Sequence, residues 1–231
     1  MPRFSIIVPV LDEAPGIAAA LAPLQRARAD GTAEVVVVDG GSRDATVAAA
    51  TLLADRVLGA PRGRASQMNA GARAASGEVF VFLHADTRMP DGALDAIERA
   101  LARGARWGRF DVRIAGEGAL LALVACMMNA RSRLTGVATG DQAMFARREA
   151  FEAVGGFPPI PLMEDVALSG ALKRGSPPAC LREQVVTSGR RWARHGTLRT
   201  VLLMWRLRLA YALGADPHRL ARRYDVERTS G

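Results

Sequence analysis

Lysine is almost missing from this chain of 231 residues. Of its 31 basic side chains only Lys173 is not arginine, and alanine is abundant, a skew that looks like genome composition. Aromatic residues make up 5%, too few for a platform on which nucleic-acid bases stack. The arginines are scattered, so the formal charge of +8 suits a polyanionic substrate or an anionic membrane surface as well as it suits nucleic acid, and nucleic acid is not expected as a partner. Cys126 and Cys180 are the only cysteines and have no close His or Cys partner, so neither a disulfide framework nor a zinc site is expected. The longest apolar run, Ala119 to Met128, is too short to span a bilayer. The first strand begins within a few residues of Met1, so no secretory leader is expected and the chain reads as cytoplasmic. No Gly-x-Gly-x-x-Gly follows the first strand, and no Gly-Lys-Ser/Thr loop occurs. Nicotinamide, flavin and ATP-hydrolysing enzymes are disfavoured by those two absences.

What the chain does contain is a regular alternation. Phe4 to Val10 and Glu34 to Val38 are apolar strands; a short strand is expected near Arg56 to Leu58 and another over Val79 to Leu83. Helices are expected from Asp12 to Ala29, Asp44 to Ala54, within Gly63 to Ala75 and over Asp91 to Arg103. Strand, helix and strand in turn imply a mostly parallel central sheet with right-handed crossovers, an α/β fold. After that the character changes. Trp107 to Ile114 alternates polar with apolar, which predicts a strand with one wet face. Helices follow over Ala119 to Leu134, Glu164 to Arg174 and His195 to Leu213, with extended segments at Gln142 to Ala146 and Cys180 to Val186. The reading is one domain over 1–231, a half that looks nucleotide-binding (1–106) and a second half with a C-terminal helix (107–231) that closes a cleft over it.

Carboxylates fall at or just after the carboxyl ends of three of these strands: Asp12 with Glu13, Asp39, and Asp86. That edge is where open α/β sheets bind ligands. Each position alone is equally explained as a turn or a helix start, since turns favour Asp. Three on one edge build a site.

The segments I-I-V-P-V-L-D-E-A, E-V-V-V-V-D-G-G-S-R-D-A-T, G-R-A-S-Q-M-N-A-G-A-R-A-A-S-G-E and F-L-H-A-D-T, in this order and spacing, resemble a family-2 glycosyltransferase of the GT-A fold. Gly155-Gly156-Phe157 and Met163-Glu164-Asp165 resemble the second half of the family pattern, so the likeness covers roughly residues 4 to 192. W-G-R-F-D-V-R-I and T-G-D-Q-A-M-F are similar to a bacterial subfamily associated with arsenosugar biosynthesis. The resemblance implies a nucleotide-sugar donor, usually a uridine diphosphate sugar, and a divalent metal (manganese or magnesium) on its diphosphate. Carried over by position, Pro9, Asp12 and Glu13 lie by the nucleoside, Asp39 by uracil, Arg64 and Asn69 at the border of the nucleotide, and Asp86 on the metal. Ser42 and Asp44 are expected to brace their loop. His84 stands where the family often has the first Asp of an Asp-x-Asp pair, and a hard cation with mostly diphosphate and water ligands needs few protein oxygens. His195 is a further candidate metal ligand, or a surface histidine.

Acidic residues in a first helical turn are favoured by the helix dipole whatever they do. The resemblance makes Asp165 the general base of an inverting transfer to a hydroxyl of a small or lipid-linked acceptor, with Asp141 next in line. Gly189-Arg190-Arg191-Trp192 resembles the Gln-x-x-Arg-Trp element of processive members but lacks its Gln, so single transfer is expected; either arginine could grip a diphosphate or be solvated. Two other classes compete. A sugar nucleotidyltransferase would need a glycine-rich basic loop after the first strand, where Leu11-Asp12-Glu13-Ala14 stands; a non-catalytic nucleotide-sugar or RNA binder would not need both Asp86 and Asp165. Leu198, Val201, Leu202, Trp205, Leu209 and Leu213 recur at helical spacing, which ordinarily means core packing. With Arg199, Arg206 and Arg208 around them, the alternative is an interfacial helix making weak peripheral contact with a membrane.

Overall fold

The computed structural model describes residues 1–229, without the side chains of Arg191, His195 and residues 225–229. β1 (Phe4–Val10) and β2 (Ala33–Asp39) form on the runs Ile6 to Val8 and Val35 to Val38, all buried. Between them the expected single helix is two, α1 (Ala14–Leu21) and α2 (Gln25–Ala29), separated by a tight turn at Ala22–Leu24. Pro23 has no N–H to continue the helical ladder. α3 (Thr46–Thr51), β3 (Arg56–Gly59), α4 (Arg64–Ala74) and β4 (Val79–Phe82) complete the first stretch. α4 lies so close on β1 that a Cβ at Gly71 would stand 2.5 Å from Ile7 Cγ2.

Next come β5 (Thr87–Arg88), α5 (Ala93–Ala102), β6 (Trp107–Ile114), α6 (Ala119–Thr135), β7 (Met144–Arg147) and α7 (Arg148–Ala153). The chain ends with α8 (Glu164–Gly175), β8 (Ala179–Thr187), α9 (Arg190–His195), α10 (Thr197–Ala212) and α11 (Pro217–Thr229). All strands join one sheet in the order β3-β2-β1-β4-β7-β6-β8-β5. β1, β2, β3 and β4 pair in parallel, as do β6 and β8; β7 runs antiparallel to β4 and β6, and β5 to β8. Alternate residues face opposite sides of a strand. Ile6, Val8, Val35 and Val81 therefore pack with Ile17, Leu21 and Ile97, while Ile7, Val36 and Phe80 pack with Met68, Phe151 and Leu168.

Two expectations are corrected. β6 has no wet face, because every residue in it except Arg113 is buried. Its polar side chains form a covered network instead. Asp111 accepts from Arg109, which is wholly buried, and from Arg133 of α6, while Asn129 exchanges two hydrogen bonds with the Val112 backbone at 2.9 and 3.0 Å. The apolar stripe of α10 is not core: Leu198, Leu202, Trp205, Leu209 and Leu213 are exposed, and the helix is anchored through Thr200 and Leu207 on its other side. α11 lies beyond the last expected element. Pro217 opens it and Asp216 accepts the His218 N–H at 3.0 Å, an ordinary proline-led start. Among the described residues, no helix is long and apolar enough to cross a membrane.

Candidate functional site

The connections leave β1 toward β2 on one side and β4 lies on the other, so the sheet order reverses at β1. A crevice opens beyond the carboxyl ends of strands at such a point, the common ligand site of open α/β sheets. The loops there are tied together by the residues that the sequence singled out. Asp12 has a positive φ of 53°; its carboxylate accepts the Arg43 N–H at 2.8 Å, and its own N–H donates to Ser42 Oγ at 2.9 Å. Asp39 accepts the N–H groups of Gly41 and Ser42 at 3.0 and 3.1 Å and the Ser42 hydroxyl at 2.5 Å. Asp44 accepts the Ala14 and Thr46 N–H groups, bracing the loop after β1 against the one after β2. Pro9 is buried in β1 just before this edge.

Gln67, on α4, was not foreseen. Its buried amide donates to the carbonyls of Val10 and Val38, both at 2.8 Å, and so fixes the last turn of backbone of two strands at once. Those partners lie 57 and 29 residues away, and no local pattern announces them. Asn69, two residues further along α4, spends its amide on Phe157: Nδ2 donates to the carbonyl at 2.8 Å and Oδ1 accepts the N–H at 3.0 Å. That pair seats the Gly155-Gly156-Phe157 turn, and with it the approach to α8.

At the head of α8, Asp165 is held at both oxygens. Oδ2 accepts the Gly140 N–H at 2.7 Å and Oδ1 accepts the Val166 N–H at 2.7 Å. Glu164 beside it is buried, with Arg64 Nη1 3.6 Å from its Oε1. Burial first, then the charge of Asp165, push the Glu164 carboxyl above its ordinary value against the opposing pull of Arg64. Asp141 Oδ1 lies 3.5 Å from His84 Nδ1 at the end of β4. Met204 and Arg208 of α10 and Tyr224 of α11 complete the wall of this cleft. Arg131 of α6 is half-buried behind it, with Nε and Nη2 lacking hydrogen-bond partners; burial and then the charge of Arg208 lower its pKa to about 10.

Asp86 lies in an adjoining hollow of about 310 Å³ with Gly16, Arg88, Ser188 and Arg190. Its carboxylate receives one long hydrogen bond, from Thr87 Oγ1 at 3.4 Å. Arg190 Nη2 donates to Glu13 Oε2 at 2.8 Å, closing α9 onto the loop after β1 across 177 residues. The structure therefore brings Asp12, Glu13, Asp39 and Asp86 to one edge, and gathers Arg64, His84, Asp141, Glu164 and Asp165 into the cleft beside it. The side chain of His195 lies outside the described residues. Among the described residues no three His, Cys, Asp or Glu side chains converge to hold a metal ion unaided. Asp86 is a hard oxygen donor with spare lone pairs, which fits one bond to a hard cation whose other ligands come from a diphosphate and water.

A mostly parallel sheet of this order, flanked by helices on both faces, is the α/β architecture of the GT-A fold. The family described as Glycosyl transferase family 2 matches residues 5–155, and the chain belongs to that family. A comparison with curated proteins gave no match. Among solved structures it is similar to the mannosyltransferase PcManGT from Pyrobaculum calidifontis in complex with GDP-Man and Mn2+, at 25% identity and a TM-score of 0.65, covering 90% of this chain and 61% of that one. It is similar also to S. aureus TarS, at 18% identity and a TM-score of 0.64, over 83% of this chain and 61% of the other. Glucosyl-3-phosphoglycerate synthase from Mycobacterium tuberculosis, in complex with Mn2+, UDP and glucosyl-3-phosphoglycerate, is 21% identical with a TM-score of 0.65, over 92% and 79% of the two chains. The chain thus spans about three fifths of the length of the first two.

Proposed function

We propose that this protein is an inverting glycosyltransferase that moves a sugar from a nucleoside diphosphate, a uridine diphosphate sugar in the first instance, to an acceptor hydroxyl. The observation that carries the reading is the seating of Asp165. Two backbone N–H groups orient its carboxylate in a cleft that adjoins the acidic edge of β1, β2 and β4. Both bonds lie at about hydrogen-bond optimum and leave further lone pairs on each oxygen for an incoming hydroxyl.

In this reading the nucleoside rests against the loops that Asp12 and Asp39 order, and Asp86 meets the diphosphate side. A divalent cation bound there, by Asp86 and diphosphate oxygens, would supply charge neutralisation for the leaving group. Arg190, held by Glu13, stands where it could exchange that carboxylate for a diphosphate oxygen. Asp165 takes the proton of the acceptor hydroxyl as that oxygen attacks the anomeric carbon from the face opposite the diphosphate. A positioned base of this kind contributes about a hundred- to ten-thousand-fold. Glu164, buried beside Asp165 with Arg64 3.6 Å from its carboxylate, orients the head of α8 on which Asp165 sits.

Two of the similar structures hold a nucleotide together with Mn2+, which supports the choice of conditions for a test. Purified protein with manganese is offered a panel of uridine and guanosine diphosphate sugars, and release of nucleoside diphosphate is measured. One donor should be consumed above the others, and calorimetric binding of uridine diphosphate should tighten with manganese in the wild type but not in Asp86→Ala. Equal, metal-independent binding by both proteins would overturn the assignment of Asp86.

A further inference from the structure

We propose that α10 docks the protein on an anionic lipid bilayer. Leu198, Leu202, Trp205, Leu209 and Leu213 recur every three or four residues along this helix and all face outward, with Trp205 54% and Leu213 80% exposed. Helical spacing of that kind puts them on a single face. The opposite face is committed: Thr200 and Leu207 are buried, and Met204 and Arg208 line the candidate cleft. A second outward row, Leu120, Leu123, Met127 and Leu134, lies on α6, against which α10 packs. A run of large apolar side chains left uncovered along one helix face ordinarily marks an interaction surface.

The charge around the face names the occupant. Residues 184–215 contain no acidic residue and α6 contains none either. Arg190, Arg133 and Arg208 are engaged with Glu13, Asp111 and the cleft, while Arg194 just before α10 is exposed. Arg199 and Arg206 are exposed on the flank of the stripe. Leucine and tryptophan on one side with arginine beside them is the composition of a helix lying in a headgroup layer, and tryptophan favours that depth. A second copy of this chain fits poorly. A symmetric interface through the face would set arginines against arginines, with no carboxylate from either helix to offset them. If the transfer proposed above is right, on which this last step alone rests, the acceptor hydroxyl belongs to a molecule held at the bilayer. α10 would then touch lipid with one face and the cleft with the other.

The test is flotation of the full-length protein with vesicles of phosphatidylcholine, with and without phosphatidylglycerol, at low and high salt. Protein should float with the phosphatidylglycerol vesicles at low salt and be largely released at high salt, because screening shortens the reach of the charges. Trp205→Glu/Leu209→Glu, both at exposed positions, should remain at the bottom of the gradient while melting like the wild type. Arg199→Gln/Arg206→Gln should weaken partitioning about thirtyfold, roughly fivefold for each basic group at an anionic surface. Absence of flotation at low salt would overturn the proposal, as would variants that float like wild type. So would a dimer, seen by sedimentation velocity, that Trp205→Glu dissociates. Uridine diphosphate binding measured on the same proteins reads the donor site separately, so failure of docking is distinguishable from failure of the transfer reading.

Discussion

Gly140 is packed tightly into the candidate site, and replacing it with alanine tests how the site is held. A Cβ there would stand 2.2 Å from both Cε1 and Nε2 of His84, well inside the 3.0 Å that such atoms keep. His84 is only 12% exposed in its side chain, so the ring has little room to retreat. The loop must move instead, and that loop carries the N–H that anchors Asp165. Overpacking of this sort costs about 1–3 kcal/mol. For a chain of this length each kcal/mol lowers the melting temperature by about 2–4 °C, so Gly140→Ala should melt about 2–12 °C below wild type. Trimming the ring removes the obstacle. In the background of His84→Ala the alanine at 140 should cost much less, giving a coupling of about 1 kcal/mol or more in a four-protein urea-unfolding cycle. Turnover should fall in Gly140→Ala and recover in part in the double variant. An additive cycle, in which Gly140→Ala is equally costly with and without the ring, would refute the contact as the reason for glycine.

Asp111 offers a second test. It is the counterion of the wholly buried Arg109, so Asp111→Ala should lose about 3–5 kcal/mol in chemical unfolding, far more than an exposed ion pair such as Arg99 with Glu183 would. Glu164 gives a pH dependence with a definite sign. Its folded carboxyl holds a proton more tightly than the unfolded chain does, so its cost to stability is absent below the ordinary value of 4.5 and grows as pH rises through the raised folded value. Glu164→Gln should therefore gain melting temperature over wild type from pH 4 to about pH 8; a difference that stays flat or shrinks would count against burial of the charged carboxylate.

The strands were legible because buried parallel strands are nearly unbroken runs of Val, Ile and Phe, and Val35 to Val38 or Val79 to Phe82 could hardly be anything else. Asp12, Asp39 and Asp86 followed from them, since a strand's end fixes where the next residues point. β6 was misread because a period of two does not say what covers each face. Arg109 and Asp111 neutralise one another under α6, and polar residues with buried partners look the same in sequence as residues in water. The stripe of α10 had the same ambiguity in reverse: its spacing was plain, but periodicity gives a face and not a direction. Gln67, the Arg190–Glu13 pair and the Gly140–Asp165 bond join residues tens to hundreds of positions apart, and only the fold brings them together.

The most direct test of the central claim is turnover of Asp165→Asn with the preferred donor saturating, read as release of nucleoside diphosphate on transfer of the sugar to an acceptor hydroxyl or to water. The amide keeps one acceptor oxygen, which can take the Gly140 N–H, and gives up the bond from the Val166 N–H, a loss local to the helix start that leaves the donor loops of β1 and β2 untouched. It cannot take a proton from the attacking oxygen. The account predicts nucleoside diphosphate binding like wild type and a rate lower by about a hundred- to ten-thousand-fold. A rate near that of wild type at saturation would contradict it and move the search for the base to Asp141.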